Sequence, residues 1–205
     1  ILSSMVHSGI DNISIIVRKN YHSLLDHLGA GREWDLVRKN GGLNIVPPFA
    51  QKQVKVFEGR IEALESLRGY LLKQPQKYVI MTDANIAINF DFNELLDAHI
   101  NSGADVTMMY RKQEIPKAFI RQSRDRMDLY YALGMNGDRV SKIYINPTEE
   151  GEMNFSMNIY VVEREFLINM IDDAYVHGHT YFVRDLLDKQ IDRLDIRGFC
   201  YDGYV

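Results

Sequence analysis

Apolar strands and amphipathic helices alternate in the middle of this 205-residue chain, and this alternation limits the folds open to it. An apolar run at residues 78–82 suits a strand, a helix with Phe92, Leu95 and Ile100 on its inner face follows, and a second apolar run occupies residues 106–110. Strand, helix and strand at this spacing predict parallel pairing through a right-handed crossover. Because residues 78–82 are apolar on both faces, we predict that they form a central parallel strand.

The amino-terminal part of the sequence extends this pattern. It predicts a helix that ends at Gly9, a strand at residues 13–17 and a helix at residues 22–28. Residues 32–53 contain Gly41-Gly42 and Pro47-Pro48 and show no sustained hydrophobic period, which indicates an ordered loop with one short strand. A longer amphipathic helix is predicted at residues 61–72.

After Arg111 the pattern changes to consecutive strands separated by turn residues, which indicates antiparallel pairing. The predicted strands are residues 117–122, 127–133, 140–145 and 155–162, and two helices follow with apolar faces at residues 166–174 and 182–191. We therefore predict a single α/β domain over residues 1–205. Its sheet is expected to be mixed but mainly parallel, with helices on both faces.

Composition excludes several classes of function. Lys and Arg number 24 against 28 Asp and Glu, so the net charge of -4 does not favour a nucleic-acid partner. The longest apolar runs are far below the roughly 18 residues that span a bilayer, so no membrane segment is expected. Cys200 is the single cysteine, which excludes an internal disulfide or a cysteine metal cluster and favours a cytoplasmic protein.

Polar residues follow the strand predicted at residues 78–82, in the order Asp83, Ala84 and Asn85. In open α/β sheets ligands bind beyond the carboxyl ends of strands, where Asp83 could hold a divalent cation. Alternatively, Asp83 and Asn85 shape the turn, as these residue types commonly do. A second candidate is the pair His177 and His179, but no third ligand lies at a useful spacing, which favours a solvated helix end.

Seven short blocks occur in order along nearly the whole chain: His22-Ser23-Leu24-Leu25-Asp26-His27-Leu28-Gly29, Trp34-Asp35-Leu36, Val46-Pro47-Pro48-Phe49, Gly59 with Glu62-Ala63, Asp91-Phe92, Ala104-Asp105-Val106-Thr107 and Ser156-Met157-Asn158-Ile159-Tyr160. Each block alone is a weak signal, but their common order and spacing are specific. Together they resemble the bacterial glucose-1-phosphate adenylyltransferases (ADP-glucose pyrophosphorylases). The chain looks most like the regulatory, catalytically degenerate subunit type of that family.

The resemblance implies a nucleotidyltransferase-like (Rossmann-like) α/β domain followed by a left-handed parallel β-helix. It also implies that the domain begins with a strand and a Gly-rich signature that grips the triphosphate. This sequence contains neither the signature nor the β-helix. The expectation is therefore a fragment of the nucleotidyltransferase-like domain that lacks the N-terminal Gly-rich strand-loop and the C-terminal β-helix domain.

The sequence departs from the family at catalytic positions. Active members have Gly-Asp-His where this chain has Asp83-Ala84-Asn85, so the magnesium-binding Asp corresponds to Ala84. Asp83 is one residue out of phase, and a one-residue shift turns a side chain to the other face of an extended backbone. The family's Gly-Thr-Ala-Asp-Ala becomes Gly59-Arg60-Ile61-Glu62-Ala63.

The sugar-phosphate pocket departs as well. The lysine of the family's Glu-Lys-Pro corresponds to Asn146, and a glycine near the glucose corresponds to Tyr130, whose ring would fill the sugar site. Ser156 matches the family, and Asn158 completes the pocket positions that the resemblance assigns. A neutral amide in place of the ammonium removes a charge-assisted contact of roughly 1.5–3 kcal/mol.

These departures predict lost catalysis and no cofactor in this fragment, although Mg²⁺ is expected for active members. The function implied is a regulatory subunit that joins a catalytic paralogue in a hetero-oligomer of glycogen synthesis, with a sugar phosphate or nucleotide as a further ligand. An alternative is an active sugar-1-phosphate nucleotidyltransferase with a rearranged metal site that uses Asp83 and a carboxylate outside this fragment. A third is an α/β binding module with an unrelated ligand.

Overall fold

The computed structural model describes residues 1–17, 21–38, 41–47, 57, 59–115, 130–149 and 151–203. The strands are β1 (Asn12–Ile16), β2 (Gly42–Val46), β3 (Tyr78–Met81), β4 (Val106–Glu114), β5 (Tyr131–Asn136), β6 (Arg139–Ile145), β7 (Glu152–Glu163) and β8 (Ile196–Cys200). The α-helices are α1 (Leu2–His7), α2 (His22–Leu28), α3 (Arg60–Ser66), α4 (Arg68–Leu71), α5 (Phe92–Ser102) and α6 (Arg164–Val176), with a π-helical segment at Phe182–Leu187 and a 3-10 turn at Arg32–Trp34. The strand predicted at residues 117–122 lies outside the described residues.

Six strands form one sheet in the order β3-β7-β4-β8-β6-β5. Only the β4–β8 pair in this sheet is parallel, and β5 also pairs with β7 at Ala132 and Phe155, which partly closes the sheet on itself. The mixed α/β sheet is therefore confirmed, but the expectation of a mainly parallel sheet is wrong. The reason is β7, a 12-residue strand that lies between β3 and β4 and runs against both.

The strand predicted to be central and parallel is at an edge, so that prediction is wrong. Among the strands that the structure describes, β3 pairs with β7 alone, and the pairing is antiparallel. Val79 and Met81 pack into one apolar cluster, and Tyr78 and Ile80 pack against another. Both faces of β3 are thus apolar, but apolar faces report what lies above and below a strand and say nothing about its neighbours in the sheet.

A separate two-stranded parallel sheet contains β1 and β2, paired from Asn12 with Gly42 to Ile16 with Val46. Its link to the rest of the chain includes side-chain hydrogen bonds at the start of β1. The Asn12 side-chain amide N–H donates to the Gln74 side-chain oxygen at 2.8 Å, and the Tyr70 hydroxyl donates to the Asn12 side-chain oxygen. These bonds place the first residue of β1 beside the segment that leads into β3.

Apolar side chains alternate along β7 between two clusters. Tyr160 and Val162 belong to the cluster that also contains residues of α3, α4 and α6, whereas Ile159 and Val161 belong to the cluster that contains residues of α1 and α5. All four side chains are fully buried. The six-stranded sheet therefore carries an apolar layer on each side. Among the described residues, no helix is long and apolar enough to cross a membrane.

Helix α5 has residues at both ends that suit a helix boundary. The Asp91 carboxylate accepts a hydrogen bond from the Asn93 backbone N–H at 3.0 Å, which caps the helix. Gly103 ends it in the left-handed region at φ 65°. The helix predicted over residues 61–72 is instead divided at Leu67 into α3 and α4.

Candidate ligand crevice

A crevice of about 1480 Å³ separates β1 from β3 and extends past the carboxyl end of β3 to the first turn of α3. In open α/β sheets this is the end at which loops and helix starts converge on a ligand. The lining at this end includes Arg60, Asp83, Ala84, Asn158 and Tyr160. The crevice therefore brings together residues that are far apart in sequence.

The start of α3 is fixed against the segment before the π-helical turn. The Ile61 backbone N–H donates to the Thr180 carbonyl oxygen at 3.3 Å. A Cβ atom at Gly59 would lie 2.1 Å from the same oxygen, so only glycine fits there. This close approach fixes where the first residue of α3, Arg60, enters the crevice.

Arg60 and Asp83 form an ion pair across the end of the crevice. The guanidinium carbon of Arg60 lies 5.1 Å from the centre of the Tyr160 ring, in cation–π contact. Burial alone would lower the pKa of Arg60, but Tyr160 and Asp83 outweigh it and the pKa is raised. The Nη1 nitrogen of Arg60 is buried and has no hydrogen-bond partner among the described residues.

Two tyrosines border the ion pair. Burial raises the pKa of Tyr160 to about 12, and burial together with Tyr160 raises the pKa of Tyr131. The Tyr160 hydroxyl donates to the Asn158 side-chain oxygen at 2.8 Å, and the Asn158 backbone N–H donates to the Ser156 hydroxyl at 3.3 Å. Near neutral pH both phenols keep their protons, so they can donate hydrogen bonds but cannot act as bases.

The structure brings some of the predicted site residues together. Asp83, Ala84 and Asn158 line the crevice. Ser156 is buried and reaches this group through its contact with Asn158. Asn85 is exposed and does not line the crevice.

Tyr130 and Asn146 contact each other at the open end of the β5–β6 hairpin. The Tyr130 N–H donates to the Asn146 side-chain oxygen and the Asn146 N–H donates to the Tyr130 carbonyl, both at 2.9 Å. The Tyr130 hydroxyl donates to the Pro147 carbonyl at 2.6 Å, and its ring stacks on Phe155. Neither residue lines the crevice at Arg60, and the Asn146 amide oxygen is engaged by backbone.

The residues present do not fit a magnesium ion. Ala84 offers no ligand atom, and the Asp83 carboxylate is bound by Arg60. No group of three His, Cys, Asp or Glu side chains in the described part of the chain could hold a metal. His177 and His179 stack with ring centres 6.2 Å apart and are not part of such a group.

Sequence reasoning missed the central role of Arg60. It noted this residue only as a departure within Gly59-Arg60-Ile61-Glu62-Ala63. A usable signal was the position of an arginine at a helix start, because helix starts and strand ends converge at one edge of an α/β sheet. Tyr131 and Tyr160 carried no such signal, since both lie in apolar runs typical of buried strands.

The mixed sheet with helices packed against it defines an α/β fold with a crevice at a strand end. The family model described as "Nucleotidyl transferase" matches residues 1–201, and the chain belongs to this family. A crystal structure of HddC from Yersinia pseudotuberculosis is similar, with a TM-score of 0.68, 13% identity, and coverage of 99% of this chain and 75% of that one. At this identity the likeness concerns the fold alone.

Curated relatives confirm the resemblance to glucose-1-phosphate adenylyltransferases. The glycogen biosynthesis protein GlgD of Geobacillus stearothermophilus is 35% identical over 130 residues, which are 63% of this chain and 38% of the relative. The glucose-1-phosphate adenylyltransferase of Thermosipho melanesiensis is 27% identical over 206 residues, which are 99% of this chain and 48% of the relative. The chain spans about half the length, or less, of the curated relatives it matches.

Proposed function

We propose that this chain is part of a regulatory, catalytically degenerate subunit of glucose-1-phosphate adenylyltransferase. The family reaction converts ATP and glucose 1-phosphate to ADP-glucose and diphosphate in glycogen biosynthesis. One observation carries the proposal. Ala84 occupies the position that the resemblance assigns to the magnesium carboxylate, while the neighbouring carboxylate of Asp83 is neutralised by Arg60.

Transfer of an adenylyl group between phosphates depends on a cation that neutralises the reacting oxygens, because the protein supplies mainly positioning and charge. Ala84 cannot hold that cation. The alternative of a rearranged metal site requires a free Asp83 carboxylate, and the Arg60 ion pair argues against it. Asn146 adds a second loss, because it offers an amide where the resemblance assigns a phosphate-binding ammonium.

A subunit of this kind acts through a partner. We propose that it joins a catalytic paralogue in a hetero-oligomer in the cytoplasm and changes how that paralogue responds to substrates and effectors. The similarity to proteins named GlgD and to glucose-1-phosphate adenylyltransferases supports this assignment. A sugar phosphate or nucleotide remains a candidate ligand of the crevice.

The crevice also supports a proposal about the complete domain. Within the described residues, β1 pairs only with β2 and β3 pairs only with β7, so each strand has an edge without a described partner at the crevice. A strand that precedes α1 would reach β1 by a right-handed crossover and lie parallel to it at this free edge. We propose that the Gly-rich strand-loop expected from the resemblance occupies this place in the longer protein, which also carries the β-helix domain.

The test is pyrophosphorolysis of ADP-glucose with Mg²⁺, measured for the protein alone, the catalytic paralogue alone and the mixture. We expect no rate above buffer for the protein alone and an altered substrate or effector response of the paralogue in the mixture. A clear rate for the protein alone that disappears in Asp83→Ala would contradict the proposal and support the active alternative with a rearranged metal site.

A restoration series tests the residue assignments. In the full-length protein, Ala84→Asp with Asn146→Lys supplies two of the missing groups. The structure adds Arg60→Thr, because the guanidinium would otherwise pair with the new carboxylate. We expect weak Mg²⁺-dependent ADP-glucose formation from the triple variant only, since groups that act as a unit are strongly non-additive. Tyr130→Gly is left out of this set because the Tyr130 ring stacks on Phe155 in the core.

A further inference from the structure

The end of the crevice beyond β3 has an isolated pair of charges. Its charged lining residues in the described part of the chain are Arg60 and Asp83. The other charged lining residues, Asp11, Lys77 and Arg164, lie next to the first residues of β1 and β3, at the opposite end of these strands. Arg60 is therefore the cation that a ligand entering beyond β3 would meet.

The Arg60 guanidinium is held in place but incompletely hydrogen-bonded. Its position is set by the start of α3, by the ion pair to Asp83 and by the Tyr160 ring. About a quarter of its side chain, 23%, is exposed. Its Nη1 nitrogen is buried without a partner among the described residues, and leaving a donor on a charged group unpartnered is costly. An acceptor on a ligand that reached Nη1 would remove this cost.

We propose that this end of the crevice binds the phosphoryl group of a ligand without a metal ion, with the Arg60 guanidinium in the charge-neutralising place of a divalent cation. The proposal deepens the proposed function by naming the chemical group that the crevice recognises. It depends on the proposed function in one respect, namely that the site holds no metal ion.

The chemistry of the side chains favours a phosphoryl group. A guanidinium has five N–H donors in a planar fork that matches phosphate oxygens in pairs, and it can keep a carboxylate on one edge while it binds an oxyanion on another. Tyr131 and Tyr181 also line the crevice and supply phenol groups there. Asp83 acts in the opposite direction, because its carboxylate repels a bound anion and competes for the guanidinium.

The experiment measures binding of inorganic phosphate, glucose 1-phosphate and AMP to the protein by calorimetry in the presence of EDTA. We expect millimolar or tighter affinity for the wild type and at least tenfold weaker affinity for Arg60→Met. Arg60→Lys should be intermediate, because it keeps the charge but loses the fork. Asp83→Asn should bind severalfold more tightly, because it removes the competing carboxylate.

Arg68→Met is the matched control. Arg68 is ion-paired to Asp172 at 2.5 Å and does not line the crevice, so its removal should leave all three affinities unchanged. The proposal is overturned if the wild type does not bind phosphate in EDTA, if binding needs Mg²⁺, or if Arg60→Met binds as tightly as the wild type. If Arg60→Met does not fold, the other two variants test the proposal. Phosphate affinity should fall in Arg60→Lys and rise in Asp83→Asn, and unchanged affinities in both would overturn the proposal.

This assay separates the two proposals. Turnover of ADP-glucose by the protein alone would contradict the regulatory role, but it would not alter the phosphate affinities in EDTA. Conversely, if the protein modulates its paralogue but binds none of the three probes, the proposed regulatory role stands and the proposed phosphoryl site is contradicted.

Discussion

The two sheets of this molecule differ in what holds them together. In the six-stranded sheet, Val106, Met108, Ile159 and Tyr160 are fully buried between two apolar layers. In the β1–β2 pair most residues are only half-buried, and an isolated pair of strands is marginal in water. The comparison shows that a sheet is stabilised by the layers on its faces. The β1–β2 pair places Ile13 in one apolar cluster and Val46 in the other, but most of its residues are half-buried and gain less from these layers.

The largest expected effect comes from truncating a core residue in each sheet. Ile159→Ala, in β7, should lower the free energy of unfolding by about 2–5 kcal/mol, because it leaves a cavity in a fully packed layer. Ile15→Ala, in the half-buried β1, should cost about 1 kcal/mol, since less apolar area leaves the interior. Urea unfolding of both variants measures the difference. Equal losses would show that the β1–β2 pair is as well packed as the larger sheet.

A smaller effect is expected from the hydrogen bonds that tie β1 to the rest of the chain. Tyr70→Phe removes the hydroxyl that donates to Asn12 and should cost about 0.5–1.5 kcal/mol. Amide hydrogen exchange should then accelerate in β1 and β2 but not in β4. Tyr175→Phe is the control, because Tyr175 is 54% exposed on α6 and its hydroxyl removal should change neither region. Uniform acceleration in β4 as well would mean that the two sheets open together.

Much of the element pattern was predictable from the sequence, because periodicity reports which faces of an element are buried. The strand at residues 13–17 and the helix at residues 22–28 agree with the structure to within one or two residues. Phe92 and Leu95 are buried on α5 as predicted, whereas Ile100 is 46% exposed. Strand order was not predictable in this way. β3 is apolar on both faces and nevertheless lies at an edge of the described sheet. Its partner β7 comes from more than 70 residues later in the chain, and periodicity does not show which distant strands pair.

The site was predictable only in part. The strand-end rule led to Asp83 and Ala84, and the resemblance added Asn158, all of which line the crevice. The rule could not show that the Asp83 carboxylate is bound by Arg60, because that contact depends on where α3 begins relative to β3. The resemblance assigned Tyr130 and Asn146 to the sugar-phosphate pocket. In the structure they hydrogen-bond to each other and neither lines the crevice at Arg60.

The smallest loss of stability is expected on lowering the pH, and it should concern the six-stranded sheet. His99 of α5 is buried, its Nδ1 lies 2.9 Å from the Thr107 hydroxyl of β4, and its ring meets the edge of Tyr78. Burial lowers the pKa of His99, although the charges of Asp105 and Glu163 oppose this. The unfolded imidazole, with a pKa of about 6.5, therefore takes up its proton at a higher pH than the folded one.

Stability should consequently fall as the pH drops through about 6.5 and level off once the folded imidazole is also protonated. Urea unfolding between pH 8 and pH 5 measures this slope for the wild type and for His99→Gln, which can still hydrogen-bond Thr107. The difference between the two slopes isolates His99 from the other titrating groups. Amide exchange at the lower pH should accelerate in α5 and β4 relative to the variant, with β1 and β2 unaffected. Identical slopes for wild type and variant would show that His99 is as easily protonated in the folded protein as in the unfolded chain, and that the interface between α5 and the larger sheet tolerates the charge.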